Sequence, residues 1–189
     1  MPLTFPTILT LFRIALLPVM VVVFYAGFRG ANIAAALIFT TAAVTDWLDG
    51  WVARRFDQYS RFGAFLDPVA DKLMVAVTLF LLVQNNPKPL LAITSAVIVG
   101  REIAISALRE WMAEIGARGL VKVAFLGKLK TLMQIVAIVV LLYQHESASF
   151  RLFHVGETLL VVAAALTIWS GFDYLRAAWP AMREDRSSR

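Results

Sequence analysis

Six long, mostly apolar stretches run through the sequence, over residues 6–28, 31–53, 68–83, 90–111, 123–143 and 152–175. A helix needs about 20 such residues to cross a bilayer, and in hydrocarbon a helix satisfies its own backbone hydrogen bonds. The third stretch reaches that length only if it is extended back through Gly63. Composition agrees. The 189 residues are 60% hydrophobic and 16% charged, and mean hydropathy is +0.74. An ordinary soluble domain is about 45–50% apolar and about 25% charged. A chain this short has too little interior to hide the excess, which excludes a soluble globule, and its apolar content excludes a disordered chain. The sequence therefore predicts an all-α integral membrane protein with six transmembrane helices. The connections are too short to mark a second domain, and no internal repeat is visible. Residues 1–179 read as one transmembrane domain, and residues 180–189 as a short, Arg-rich, frayed tail.

Charge sets the expected orientation. Eighteen Lys and Arg against thirteen Asp and Glu give a net charge of +5. In a soluble protein such an excess would point to nucleic acid. In a membrane protein it reflects loops facing anionic lipid, so membrane lipids rather than nucleic acid are the expected partners. With the N-terminus inside, the inner segments carry Arg54, Arg55, Arg61, Arg109, Arg118, Lys122, Lys128, Lys130, Arg176, Arg183, Arg186 and Arg189. The outer segments carry Arg29, Lys88 and Arg151. By the positive-inside rule both termini are expected in the cytoplasm. The opening MPLTFPTILTLFR has no basic region before its apolar run and no A-x-A site, so no cleaved signal peptide is expected. Trp111, Trp169 and Trp179 fall near helix ends, where indoles sit at membrane interfaces. There is no cysteine, which removes disulfides, thiolate metal sites and a Cys nucleophile. Any metal must be held by oxygen or imidazole. His145 and His154 fall at the expected outer side and read as surface residues.

Ionisable groups within spanning segments are costly and by default mark function. Asp46, Asp49, Asp67 and Asp71 gather at the junction of the second and third stretches. At about 100° per residue, Asp46, Asp49, Gly50, Ala53 and Arg54 share one helix face, while Trp47 and Trp51 point elsewhere. Gly63, Asp67 and Asp71 recur at i, i+4 and i+8 and share a face of the next helix. Four carboxylates in a poorly polarisable setting repel strongly unless cations join them. Oxygen ligands alone suit a pair of divalent ions, Mg²⁺ or Mn²⁺, of the kind that clamps a phosphoryl group in transfer. Gly50 and Ala53 allow close approach, and Arg54, Arg55 and Arg61 are suited to phosphate. Each acid also has a plainer reading. Asp67 before Pro68 is a good helix N-cap, Asp46 and Asp49 have Arg54 and Arg55 within reach, and Asp71 in a first turn complements the helix dipole. None of these accounts for all four carboxylates with the small residues between them.

The pattern D-x2-D-G-x2-A-R-x8-G-x3-D-x3-D, running from Asp46 to Asp71, resembles the CDP-alcohol phosphotransferase family at every fixed position. The resemblance implies a six-helix membrane enzyme, usually a homodimer, that displaces CMP from a CDP-linked lipid or alcohol with two Mg²⁺ or Mn²⁺ ions. It implies that Asp46, Asp49, Asp67 and Asp71 bind the metals and that Asp71 also deprotonates the acceptor hydroxyl. Gly50, Arg54 and Ser60 would contact the cytidine diphosphate, with Gly63 in the same motif. The opening P6-T-I-L-T10-L-F-R13 is also similar to the family's, which often has Asn where this chain has Thr7. Thr10 and Arg13 are its supporting residues at the CDP-lipid.

The motif does not name the acceptor. Arg101, Arg109, Lys128 and Lys130 lie on the same cytoplasmic half as the acids, and a basic pocket beside a diphosphate suits an acceptor that itself carries phosphate. The plainer reading is contact with lipid headgroups, or pairing with Glu102, Glu110 and Glu114. The segments FGAFLDPVADK, REIAISALREWMAE and GKLKT resemble the bacterial branch of the family that joins CDP-diacylglycerol to sn-glycerol 3-phosphate. That likeness implies phosphatidylglycerophosphate and CMP as products, at a cytoplasm-facing site in the bacterial plasma membrane. A sister enzyme using another acceptor, such as phosphatidylglycerol in cardiolipin synthesis, has the same kind of pocket. An ion-coupled transporter is the reading from another class. It is disfavoured by the lack of an inverted repeat and by acids crowded at one membrane face.

Overall fold

The computed structural model describes residues 5–56, 61–115, 125–143 and 149–184. They form α1 (Phe5–Tyr25), α2 (Ala31–Phe56), α3 (Arg61–Asn85), α4 (Pro89–Glu114), α5 (Phe125–Leu142) and α6 (Ser149–Glu184). Each of the six apolar stretches is a helix. Two tight connections have clear local causes. Between α1 and α2 the backbone passes through positive φ at Gly27 (63°) and Gly30 (97°), which glycine adopts without steric penalty. Between α3 and α4, Lys88 is extended and Pro89 opens the next helix, where its missing N–H costs nothing.

Two helix boundaries differ from the sequence expectation. The helix α3 begins at Arg61, so Asp67 and Pro68 lie within it and Asp67 is not its N-cap. Asp67, Asp71 and Lys72, which line the cleft, interrupt the apolar pattern in the first half of α3, so the continuous apolar run marks only its second half. At the other end, α6 continues through Pro180 to Glu184, into the segment read as a tail. Ala178 is fully buried, so the helix is packed up to that proline.

Sequence neighbours pack as hairpins, α1 with α2, α3 with α4 and α5 with α6. The hairpins are joined by contacts of α1 with α3, α2 with α5, α3 with α5 and α4 with α6. Small residues allow close approach, as is usual where lipid supplies no hydrophobic drive between helices. Ala35, Ala36 and Ala42 are buried on α2, and Ala163 and Ala164 on α6. Gly156 is the tightest such point, since a Cβ there would stand 2.8 Å from Leu141 Cγ.

Beside an apolar core the interior holds many polar groups, and large apolar side chains cover much of the surface. Thr10, Arg13, Thr78, Lys130, Gln134, Thr167 and Ser170 are buried, while Val22, Leu37, Phe80, Ile93, Trp169 and Phe172 are exposed. That is the expected pattern where the surroundings are apolar and the interior carries the function. Among the described residues, four helices are long and apolar enough to cross a membrane: α1, α2, α4 and α6. Among the described side chains α5 contributes a shorter apolar run, Leu129–Leu142, and α3 carries Asp67, Asp71 and Lys72 in its first half.

Candidate active site

The acids of α2 and α3 meet on α1. Thr10 and Arg13 are one turn apart and present one face of that helix. The Thr10 hydroxyl donates to Asp67 Oδ1. Arg13 Nη1 lies 3.1 Å from Asp46 Oδ1 and also donates to Asp71 Oδ1. The guanidinium is 2% exposed, whereas the Asp46 and Asp71 side chains are 47% and 44% exposed. A buried cation thus stands behind carboxylates that open forward. Sequence reading assigned Thr10 and Arg13 to the CDP-lipid, whereas in the structure both contact the acids. The available signal was Arg13 itself, a lone charge in an otherwise apolar helix.

The carboxylates open on a cleft of about 440 Å³. Asp46, Asp67 and Asp71 line it together with Arg101, Arg109 and Lys130. The two clusters singled out in the sequence, acidic and basic, therefore share one cavity. The lower wall is apolar, with Phe39, Met74, Val75 and Ile105. Gly63 is buried on α3, one turn before Asp67, and is not among the lining residues. The side chains of Asp49, Gly50, Arg54 and Lys128, and the whole of Ser60, lie outside the described residues.

The cations are held in different ways. Lys130 Nζ is 3.1 Å from Glu102 Oε1, the pairing weighed as the plainer reading of this residue. Among the described residues Arg101 pairs with no carboxylate. Its Nη2 donates to Ser170 Oγ at 2.7 Å, and its guanidinium lies 5.6 Å from the Tyr174 ring centroid. Three further lining groups were not anticipated. Lys72 Nζ donates to Ser106 Oγ across α3 and α4, and Gln134 is buried one turn beyond Lys130. A polar residue at i+4 from a cation in an apolar helix was the one sequence cue to Gln134.

The donor chemistry fits a hard divalent cation. Asp46, Asp67 and Asp71 open on one cleft and oxygen is the donor atom on each; one guanidinium joins Asp46 and Asp71, and the Thr10 hydroxyl holds Asp67. Among the described residues no three acidic or imidazole side chains are close enough to enclose an ion. The Arg13 guanidinium bridges Asp46 and Asp71, and the fourth acid of the motif, Asp49, lies outside the described side chains.

A family model described as CDP-alcohol phosphatidyltransferase matches residues 3–169. The chain belongs to that family. The CDP-alcohol phosphatidyltransferase motif read from Asp46 to Asp71 is borne out by this match. Curated relatives from three bacteria carry the name CDP-diacylglycerol–glycerol-3-phosphate 3-phosphatidyltransferase. That of Sodalis glossinidius (strain morsitans) is 51% identical over 178 residues, 94% of this chain and 96% of its own. That of Pectobacterium atrosepticum is 52% identical over 174 residues, 92% and 93% of the two chains. That of Yersinia pestis is 50% identical over 188 residues, 97% of this chain and all of its own.

Proposed function

We propose that this protein transfers the phosphatidyl group of CDP-diacylglycerol to sn-glycerol 3-phosphate, giving phosphatidylglycerophosphate and CMP. The observation that carries the reading is the shared cleft, with the motif carboxylates on one wall and Arg101, Arg109 and Lys130 beside them. Relatives about half identical along nearly the whole chain bear the name of that reaction.

Asp46, Asp49, Asp67 and Asp71 would hold two Mg²⁺ or Mn²⁺ ions, which supply positive charge to the diphosphate and to the departing CMP. The remaining work falls to the chain's own groups. Arg13 and Thr10 fix the carboxylate orientations from behind, leaving the open side of each to the cleft. Gly50, Arg54 and Ser60 contact the cytidine diphosphate. Arg101, Arg109, Lys128 and Lys130 receive the phosphate of the acceptor and so aim its 1-hydroxyl at the acids. Asp71 takes the hydroxyl proton. A bond forms from that oxygen to the phosphorus carrying the diacylglycerol, and the bond from that phosphorus to the bridging oxygen breaks. CMP leaves with the electron pair. The apolar lower wall keeps water from competing for the same phosphorus.

The exposed apolar faces fit a six-span protein of the bacterial plasma membrane, with both termini and the cleft on the cytoplasmic side. They also leave room for the homodimer that the family resemblance implies. The test is CMP release by the full chain in detergent with CDP-diacylglycerol and Mg²⁺. Glycerol 3-phosphate, phosphatidylglycerol, inositol phosphate and serine are offered one at a time. Turnover with glycerol 3-phosphate alone, abolished by EDTA, is expected. Turnover only with another acceptor would overturn the acceptor and keep the reaction class, and no CMP from folded protein would overturn both.

A further inference from the structure

Arg101 lines the cleft without a carboxylate hydrogen-bond or ion-pair partner among the described residues. Glu102, its chain neighbour, is engaged by Lys130. The groups that hold Arg101 come instead from α6, and they are neutral. Ser170 is 3% exposed. Its hydroxyl donates back to the Thr167 carbonyl at 3.1 Å, which turns its lone pairs toward Arg101 Nη2 at 2.7 Å. The ring of Tyr174, one turn further, lies 5.6 Å from the guanidinium carbon, within range of a cation–π contact. Between them, Gly171 packs beside the arginine, where a Cβ would make ordinary contact with Nε at 3.4 Å and Cγ at 3.6 Å. Arg101 Nε is buried and has no hydrogen-bond partner among the described residues.

An arginine tied to a carboxylate spends its charge on that partner. One tied to a hydroxyl and a ring face keeps its charge for a ligand while losing its freedom to swing. Glu102 is hydrogen-bonded by Lys130, and the hydrogen bond that fixes the Arg101 guanidinium comes from α6. We infer that Ser170, with Tyr174, is the positioning element that holds the Arg101 guanidinium in the cleft for the phosphate of the acceptor. This inference rests on the reading of Arg101 as an acceptor-phosphate group. It assigns to α6, which carries none of the family motif, a role in acceptor specificity.

The experiment compares steady-state kinetics of the full chain in detergent with Ser170→Ala, Ser170→Cys, Ser170→Thr and Arg101→Ala. Ser170→Ala is expected to raise the KM for glycerol 3-phosphate about tenfold, with kcat and the KM for CDP-diacylglycerol changed less than about twofold. Ser170→Cys keeps the volume but offers only a weak acceptor, so it should follow Ser170→Ala and stands in should the alanine variant fail to fold. Ser170→Thr restores the hydroxyl and should return the KM to within about threefold of the parent. Inorganic phosphate, a competitor for the same cation, should inhibit the alanine and cysteine variants more weakly. An unchanged KM in Ser170→Ala and Ser170→Cys, while Arg101→Ala raises it, would overturn the positioning role alone. Equal losses for both substrates, unrescued by threonine, would also overturn it and leave Ser170 a packing residue. An unchanged KM in Arg101→Ala would overturn the acceptor-phosphate reading on which the inference stands.

Discussion

Arg13 Nη1 reaches Asp46 on α2 at 3.1 Å and Asp71 on α3 at the same time, so one buried guanidinium joins the two acidic helices through α1. Removing one partner of such a network leaves like charges facing each other, at a cost of several kcal/mol when fully buried. Here the carboxylates are half open, which reduces that figure. The Arg13→Ala variant is expected to lose at least about a hundredfold in turnover, because the acids lose their common orientation. It should also come to depend on divalent ions for stability. Thermal unfolding in detergent checks this, and the gap between Tm in EDTA and Tm in Mg²⁺ should be wider than in the parent. Equal gaps would show that Arg13 does not offset the acids.

Asp71 is the proposed base; like Asp46 it lines the cleft with the basic cluster and is held by Arg13. Replacing it by asparagine keeps the size and removes the basic oxygen. Turnover by Asp71→Asn is expected to fall by about 10²–10⁴, the usual worth of a positioned general base. Binding of CDP-diacylglycerol should be largely spared. Near-normal CMP release would remove Asp71 from that role.

Lys130 and Glu102 make a prediction that a lone cation would not. With the pair at 3.1 Å, Lys130→Ala removes a positive charge and also uncovers a negative one beside the acceptor site. The KM for glycerol 3-phosphate should rise more than tenfold, as expected for a lost charge-assisted contact of about 1.5–3 kcal/mol. The double variant Lys130→Ala, Glu102→Gln should recover part of that loss. Steady-state KM values for the four members of the cycle decide it. A double variant no better than the single one would show that Glu102 does not act on the acceptor.

Much of this architecture is legible in the sequence, for identifiable reasons. Six helices follow from apolar length, and the four aspartates stand out because their spacing matches the helical repeat. The start of α3 is hidden because the cleft residues Asp67, Asp71 and Lys72 break its apolar run, and Asp67-Pro68 imitates a helix start. The partners of Thr10 and Arg13 are not readable because local pattern does not say which helices α1 will touch. Ser170 leaves no trace at all, since a single serine in an apolar helix carries no periodic signal. The basic cluster is readable as a set of charges, whereas only the fold distinguishes Lys130, paired with Glu102, from Arg101, which among the described residues bonds a hydroxyl.

The packing of α5 on α6 supplies a stability test away from the chemistry. At Gly156 an added Cβ would stand 2.8 Å from Leu141 Cγ, 2.9 Å from its Cδ2 and 3.2 Å from Val140 Cγ1. The first of these atoms is near the side-chain root and cannot simply rotate away, so the helices must part or Leu141 must leave its rotamer. Overpacking of this kind costs about 1–3 kcal/mol. Gly156→Ala is therefore expected to lower Tm in detergent by several degrees. Because the strain lies far from the acids, both KM values measured well below the new Tm should be unchanged. A variant as stable as the parent would mean that α5 and α6 are not in the close contact seen here. A shifted KM would mean instead that this hairpin transmits its packing to the α6 residues around Arg101.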